Sequence, residues 1–117
     1  MPYFVYILYS ELHDKYYIGQ TNSIEQRLER HNEFEVSNSY TSKYRPWILK
    51  NHVEVGLERK DAMKLERYLK SLKSKVKIAK IAESPDLFFE TAQKILWLWG
   101  ASLAQSVRVP MRIGINP

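Results

Sequence analysis

The sequence predicts a small α/β domain: a three-stranded sheet, antiparallel or mixed, flanked by helices. Three observations carry that expectation. The chain opens on an unbroken aromatic and β-branched run, Tyr3 to Tyr9, and a second such run follows one short polar connection. A third, Trp47 to Leu57, lies beyond a longer polar stretch. Between and after these runs, apolar residues recur at intervals of three and four, the repeat of a helix. Strands and amphipathic helices each have an apolar face to hide, and in 117 residues one shared core can hide both.

Tyr3 to Tyr9 is apolar or aromatic at every position, so both faces of this strand are expected to be covered. Ser10 to Lys15 is polar and contains the turn-forming His13-Asp14, and Tyr16 to Thr21 reads as the returning strand of a hairpin. Asn22 or Ser23 can cap the next element, with Glu25 three residues after Asn22 in capping-box spacing. Ile24 and Leu28 then place a short helix over Ser23 to about Asn32. Glu33 to Pro46 reads as a loop, because Pro46 disfavours helix just before it. Trp47 to Leu57 is the third strand, with Gly56 as a bulge or an end. Met63, Leu65, Leu69 and Leu72 mark an apolar stripe on a helix over Asp61 to Leu72, and Lys75 to Ala82 is a shorter helix. Ser84 as cap and Pro85 in the first turn start a last helix, Leu87 to Trp99, which Gly100 ends. The chain thus divides into a domain over 1–82, an additional helix over 83–100 and an irregular tail over 101–117.

The composition narrows the function. Hydrophobic residues make up 44% and charged residues 26%, a globular balance. No stretch approaches the roughly 20 apolar residues of a membrane span. Met1 to Val5 lacks the basic-then-apolar layout of a secretory leader, and cysteine is absent, which excludes disulfides and thiolate metal sites. A cytoplasmic protein without membrane attachment is the expectation. The net charge is +5. Between Arg59 and Lys80 nine cations face only Asp61 and Glu66, a local field that favours a polyanion or serves solubility.

Several side chains suit phosphodiester hydrolysis. Such a reaction needs an oriented water that loses its proton, and stabilisation of the charge growing on the phosphoryl oxygens. Arginine grips phosphate through two parallel hydrogen bonds. A carboxylate can hold a hard cation that also binds phosphate oxygens. A tyrosine whose pKa is lowered by nearby cations can accept a proton. The chain supplies Tyr6 and Tyr17 in its first two strands, Arg27 and His31 one helical turn apart, and Glu66 as the sole acid between Asp61 and Glu83. Each also has an ordinary reading. The tyrosines can be strand packing, Arg27 a solvated charge, His31 a helix C-terminal partner of the dipole, and Glu66 an i, i+4 partner of Lys70.

Taken together and in order, these pieces resemble the GIY-YIG nuclease superfamily, which includes homing endonucleases, some restriction enzymes and the N-terminal module of a bacterial excision-repair endonuclease. The first motif stands here as Phe4-Val5-Tyr6 and the second as Tyr17-Ile18-Gly19. Arg27, His31 and Glu66 fall at the family's helix Arg, its His or Tyr, and its metal-binding Glu. The segment Tyr40 to Trp47 and the helix Met63 to Ser74 are similar to those of small stand-alone members. The likeness covers about Pro2 to Ala82. It implies that Tyr6 is the base or orients the attacking water, that Tyr17 helps position water or phosphate, and that Arg27 stabilises phosphoryl charge. It further implies that His31 assists proton transfer or contacts the phosphate, and that Glu66 binds one Mg²⁺ or Mn²⁺ ion. Gly19 would allow close backbone approach, and nucleic acid is expected against Gly19, Gln20, Lys43, Arg45, Lys70 and Lys73.

Two departures stand out. Gln20 occupies the place where some members carry a Lys, and Lys70 to Ala82 contains no Asn to support the site. The first reading is a metal-dependent endonuclease of DNA, with RNA as the alternative substrate, directed by backbone or shape because so small a domain has little room to read sequence. The second is a binding module of the same fold whose catalytic site has decayed. The third is an interaction protein, docking to a partner or to a second copy through the Leu87 to Trp99 helix.

Overall fold

A computed structural model of the chain describes residues 1–32 and 43–99, with side chains as far as Leu96. Its elements, in chain order, are β1 (Tyr3–Ser10), β2 (Lys15–Thr21), α1 (Ile24–His31), β3 (Ile48–Gly56), α2 (Arg59–Ser71), α3 (Lys75–Glu83) and α4 (Pro85–Trp99). Most of the Glu33 to Pro46 loop, the helix end at Gly100, the 101–117 tail and the side chains of Trp97 and Trp99 lie outside the described residues.

The sheet order is β2-β1-β3, and both pairings are antiparallel, which decides between the antiparallel and mixed alternatives. The central place of β1 explains its unbroken apolar sequence. Side chains alternate across a strand. Val5 and Ile7 enter one core with Leu65, Leu69, Ile78, Phe88 and others from α2, α3 and α4. Tyr6 and Leu8 enter a second, smaller cluster with Trp47, flanked by Tyr17, Ile24 and Leu28. The helices α2 to α4 therefore cover one face of the sheet, and α1 with Trp47 covers part of the other.

Local chemistry sets the boundaries. Ser23, not Asn22, caps α1: its hydroxyl accepts from the Gln26 N–H at 3.4 Å, so the third helical residue is Gln26 rather than Glu25. Ser74 and Ser84 do the same for α3 and α4, accepting from Lys77 N at 3.2 Å and Leu87 N at 3.1 Å. Helix α2 starts two residues before the expected Asp61, directly after an extended Glu58 whose side chain makes no capping bond. Nothing in the residue types there announces the start. Its apolar stripe also differs by one place: Ala62 is buried and Met63 is 41% exposed. Ala62, Leu65, Leu69 and Leu72 keep helical spacing, whereas Met63 stands about 100° off that line. Gly56 is both bulge and end: its φ of 116° is a conformation that favours glycine, and the register with β1 shifts between Tyr3 and Phe4 beside it.

Helix α4 buries Phe88, Ala92 and Leu96 in the same core as β1 and α2, so these residues face the chain's own interior. No helix among the described residues is long and apolar enough to cross a membrane.

One tie links the two halves of the smaller cluster. Asn32, directly after α1, accepts from the Trp47 backbone N–H at 2.7 Å and donates to the Trp47 carbonyl at 3.1 Å. This amide fixes the end of α1 against the entry to β3 and seats the Trp47 indole under Tyr17. Asn32→Ala leaves both backbone groups without that partner. The expected cost is about 1–3 kcal/mol of stability, read as a lower urea midpoint at an unchanged m-value; an unmoved midpoint would mean water replaces the amide.

Candidate active site

The site forms on the face of the sheet away from α2, α3 and α4. Tyr6 lies at its floor, on the central strand. Its cross-strand neighbour on β2 is Gly19 and on β3 is His52. A β-carbon at Gly19 would collide with the Tyr6 hydroxyl and would stand 2.6 Å from its Cζ and 3.1 Å from Tyr17 Cε2. The phenol therefore lies over β2 only because position 19 has no side chain. Gly19 thus admits a close approach, and in this structure the group it admits is the Tyr6 phenol.

The phenol ends against α1. Tyr6 Oη and His31 Nε2 are 2.9 Å apart. His31 closes α1 and is 6% exposed, while Tyr6 is 2% exposed. Tyr17, one face-position away on β2, packs its ring 4.7 Å from that of His31, edge to face, and 6.4 Å from that of Tyr6. Trp47 supports Tyr17 from behind at 6.1 Å.

The charges sit at the rim. Arg27, one turn before His31, is exposed, and Glu66 on α2 is half-buried. Their effects on Tyr6 show how close they stand. Burial pushes the Tyr6 phenol up, well above its usual range; Tyr17 adds to this, Arg27 opposes it through charge and hydrogen bonding, and Glu66 raises it further. The expected depression by neighbouring cations is present through Arg27 but is outweighed by desolvation. His31 is driven down to about 4, first by burial and then by Arg27. Both partners are thus neutral near pH 7. With Arg27 directed at the phenol oxygen as a donor, the phenol O–H donates to an unprotonated Nε2, and the imidazole hydrogen resides on Nδ1.

The structure therefore brings Tyr6, Tyr17, Arg27, His31 and Glu66 together. Glu66 also pairs with Lys70 at 2.8 Å in the i, i+4 manner, and the Lys70 ammonium stands 5.8 Å from the centre of the Tyr17 ring. A cation thus borders the two tyrosines from α2. Gln20 is not brought to the site. It pairs with Val5, on the opposite face of the sheet, and its side-chain oxygen is buried without a hydrogen-bond partner among the described residues. Lys43 and Arg45 flank Tyr44, beyond Trp47, and Lys43 stands 5.9 Å over the Tyr44 ring. Lys73 lies past the C-terminus of α2. Sequence reasoning missed Asn32 and Trp47, whose part is to hold Tyr17 and His31 in place. Asn32 carried only the signal of a helix end.

A divalent ion can be judged against the donors present. Among the described residues no group of three or more His, Asp or Glu side chains could hold a metal. The acid facing this site is Glu66. One carboxylate beside an open rim suits a hard ion that keeps most of its waters and takes further oxygens from a phosphate; it does not suit zinc, which wants three or four protein ligands.

A family model described as the GIY-YIG catalytic domain matches residues 2–79, a span that contains every residue of the site. Searches of curated proteins and of solved structures return no match.

The buried histidine yields a pH prediction. Its folded pKa of about 4 lies below the ordinary 6.5. Between those values the unfolded chain binds a proton that the folded chain does not, so stability falls as pH drops from about 6.5 to about 4 and levels off below. The His31 ring signals in an NMR titration should move only near pH 4. In Gly19→Ala, which displaces the Tyr6 ring, the His31 midpoint should move back towards 6.5. A wild-type midpoint near 6.5 would contradict the buried placement.

Proposed function

The chain belongs to the GIY-YIG catalytic domain family, a nuclease family, and on that premise we propose that it is an endonuclease hydrolysing phosphodiester bonds in DNA with one divalent metal ion. The observation that carries the reading is the convergence on one phenol, Tyr6 of β1, of a neutral imidazole and a guanidinium from α1 and a carboxylate from α2.

Arg27 is the exposed group and meets the phosphate first, as a charge-assisted and planar donor. Its departure towards the phosphate uncovers the Tyr6 oxygen. Burial holds the His31 pKa down first and the Arg27 charge second; a phosphate compensates the second of these, so substrate binding makes His31 a somewhat stronger base. The attacking water then passes a proton to the Tyr6 oxygen while the Tyr6 proton moves to His31 Nε2 across the 2.9 Å contact. Tyr6 is unchanged at the end of this transfer, and His31 holds the proton as imidazolium. Tyr17 confines the ring and presents its own hydroxyl towards the phosphate. Glu66 would hold Mg²⁺ or Mn²⁺, which when bound supplies Lewis-acid stabilisation of the phosphoryl charge. Recognition through backbone or shape suits a domain whose exposed cations, Lys43, Lys70 and Lys73 among them, offer phosphate contacts.

Two observations favour a second reading, a binding module that no longer cleaves: Tyr6 is only 2% exposed, and the phenol is raised rather than lowered, first by that burial. Supercoiled-plasmid nicking separates the two. The endonuclease nicks with Mg²⁺ or Mn²⁺ and stops in EDTA. Tyr6→Phe should slow nicking by about 10²–10⁴-fold, and Glu66→Ala should abolish metal-dependent nicking while leaving DNA binding largely intact. Binding without nicking by the wild-type chain would establish the second reading, and wild-type rates in Glu66→Ala would remove the metal assignment.

A further inference from the structure

A groove of about 290 Å³ opens between β2 and the junction of α2 with α3. Lys15, Lys70, Lys73 and Lys75 line it, with Asp14 as its one carboxylate. That carboxylate is already engaged: it accepts from the Tyr9 hydroxyl at 2.7 Å and pairs with Lys75 at 2.5 Å. Lys70 belongs to the groove and to the site at once, because it also pairs with Glu66 and stands over Tyr17. The groove therefore continues outward from the rim of the site.

The backbone here is unusual. Among the described residues, those other than glycine with positive φ are Asp14, at 53°, and Lys73, at 48°. Both line this groove. A left-handed conformation disfavours any residue with a β-carbon, and glycine would relieve it. Lys73 follows the Leu72 C-cap of α2, the place where a left-handed residue commonly ends a helix and where glycine is the usual occupant; here the position carries a cation instead. Lys73 has no ion-pair or hydrogen-bond partner among the described residues. Its charge is held at the groove without an internal counter-ion.

We propose that this groove is a phosphate subsite, where Lys73, Lys15 and, across the rim, Lys70 take the phosphates of the DNA strand flanking the one bound at Arg27. The Asp14–Lys75 pair ties the β1–β2 turn to the start of α3 and keeps the two walls of the groove together. The inference rests on the endonuclease reading, and it assigns the path of the strand away from the reacting phosphate.

The test is DNA binding by fluorescence anisotropy in EDTA, over a range of salt concentrations, with the full chain. Each lost phosphate contact should lower the slope of log affinity against log salt by about one and weaken binding alike for all sequences. Lys73→Gln should do so, and Lys73→Gln combined with Lys15→Gln should lower the slope by about two. Lys60→Gln, at the opposite end of α2, should leave the slope unchanged. Lys73→Gly should melt higher than the wild type yet bind DNA as weakly as Lys73→Gln, an opposition that a structural role for the lysine would not produce. Wild-type slopes in the Lys73 and Lys15 variants, or an equal loss in Lys60→Gln, overturn the subsite. Plasmid nicking by the same proteins keeps the two ideas apart: nicking with unaltered slopes removes the groove alone, whereas a wild-type chain that neither nicks nor binds removes the endonuclease reading and the groove with it.

Discussion

The contact between Tyr6 and Gly19 is the constraint from which the rest of the site follows. On a paired sheet, facing side chains normally stand beside one another and point away from the strands. At this one position the β2 partner has no side chain, and the phenol lies down over the neighbouring strand. From there it reaches across to α1 and meets His31. A larger residue at 19 would tilt the ring away, break that reach and strip Arg27 and Glu66 of the group they act on. The glycine is thus less a flexible hinge than an empty volume, one that lets a strand tyrosine reach across to His31.

Burial then determines what kind of group Tyr6 becomes. Nearby cations are the familiar way to make a phenol acidic, and Arg27 does pull in that direction. Desolvation pulls harder in the other, and Tyr17 and Glu66 add to it. The same burial disfavours charge on His31. Two groups that each resist charging, joined by one hydrogen bond, form a neutral pair that can pass a proton without storing charge beforehand. Any charge created in that pair must be matched by charge arriving with the substrate. On the proposed reading a phosphate at Arg27 would be that match, and it would couple proton transfer to binding.

Much of this was legible in the residues. The strand order of hydrophobic runs, the serine cap of α4 and the apolar repeat of α2 have local causes, and local causes leave local marks. The five candidate residues meet at one place in the fold because motif spacing along the chain survives folding. What could not be read is whatever depends on facing. Gln20 follows Gly19 directly, yet the two-residue period of β2 sends it to the other side of the sheet. Met63 and Ala62 exchanged roles for the same reason on a helix, where one position is a rotation of about 100°. The Asn32 tie to Trp47 spans fifteen residues and has no periodic sign at all.

Helix α2 shows how one element can serve core and chemistry together. Leu65 and Leu69 are fully buried against β1, and the residues that follow each of them, Glu66 and Lys70, stand one position round the helix. Packing the leucines therefore aims the carboxylate and the ammonium past the edge strand β2 towards the tyrosines on the far face. The core stripe fixes the azimuth of the helix, and the azimuth fixes the site. A slip of one residue in the helix, harmless to an evenly apolar surface, would bury Glu66 and withdraw it from Tyr6. Hydrophobic spacing on α2 and the position of the acid are thus one constraint, and this gives a physical reason why a carboxylate set among lysines can still be a site residue rather than one more solvated charge.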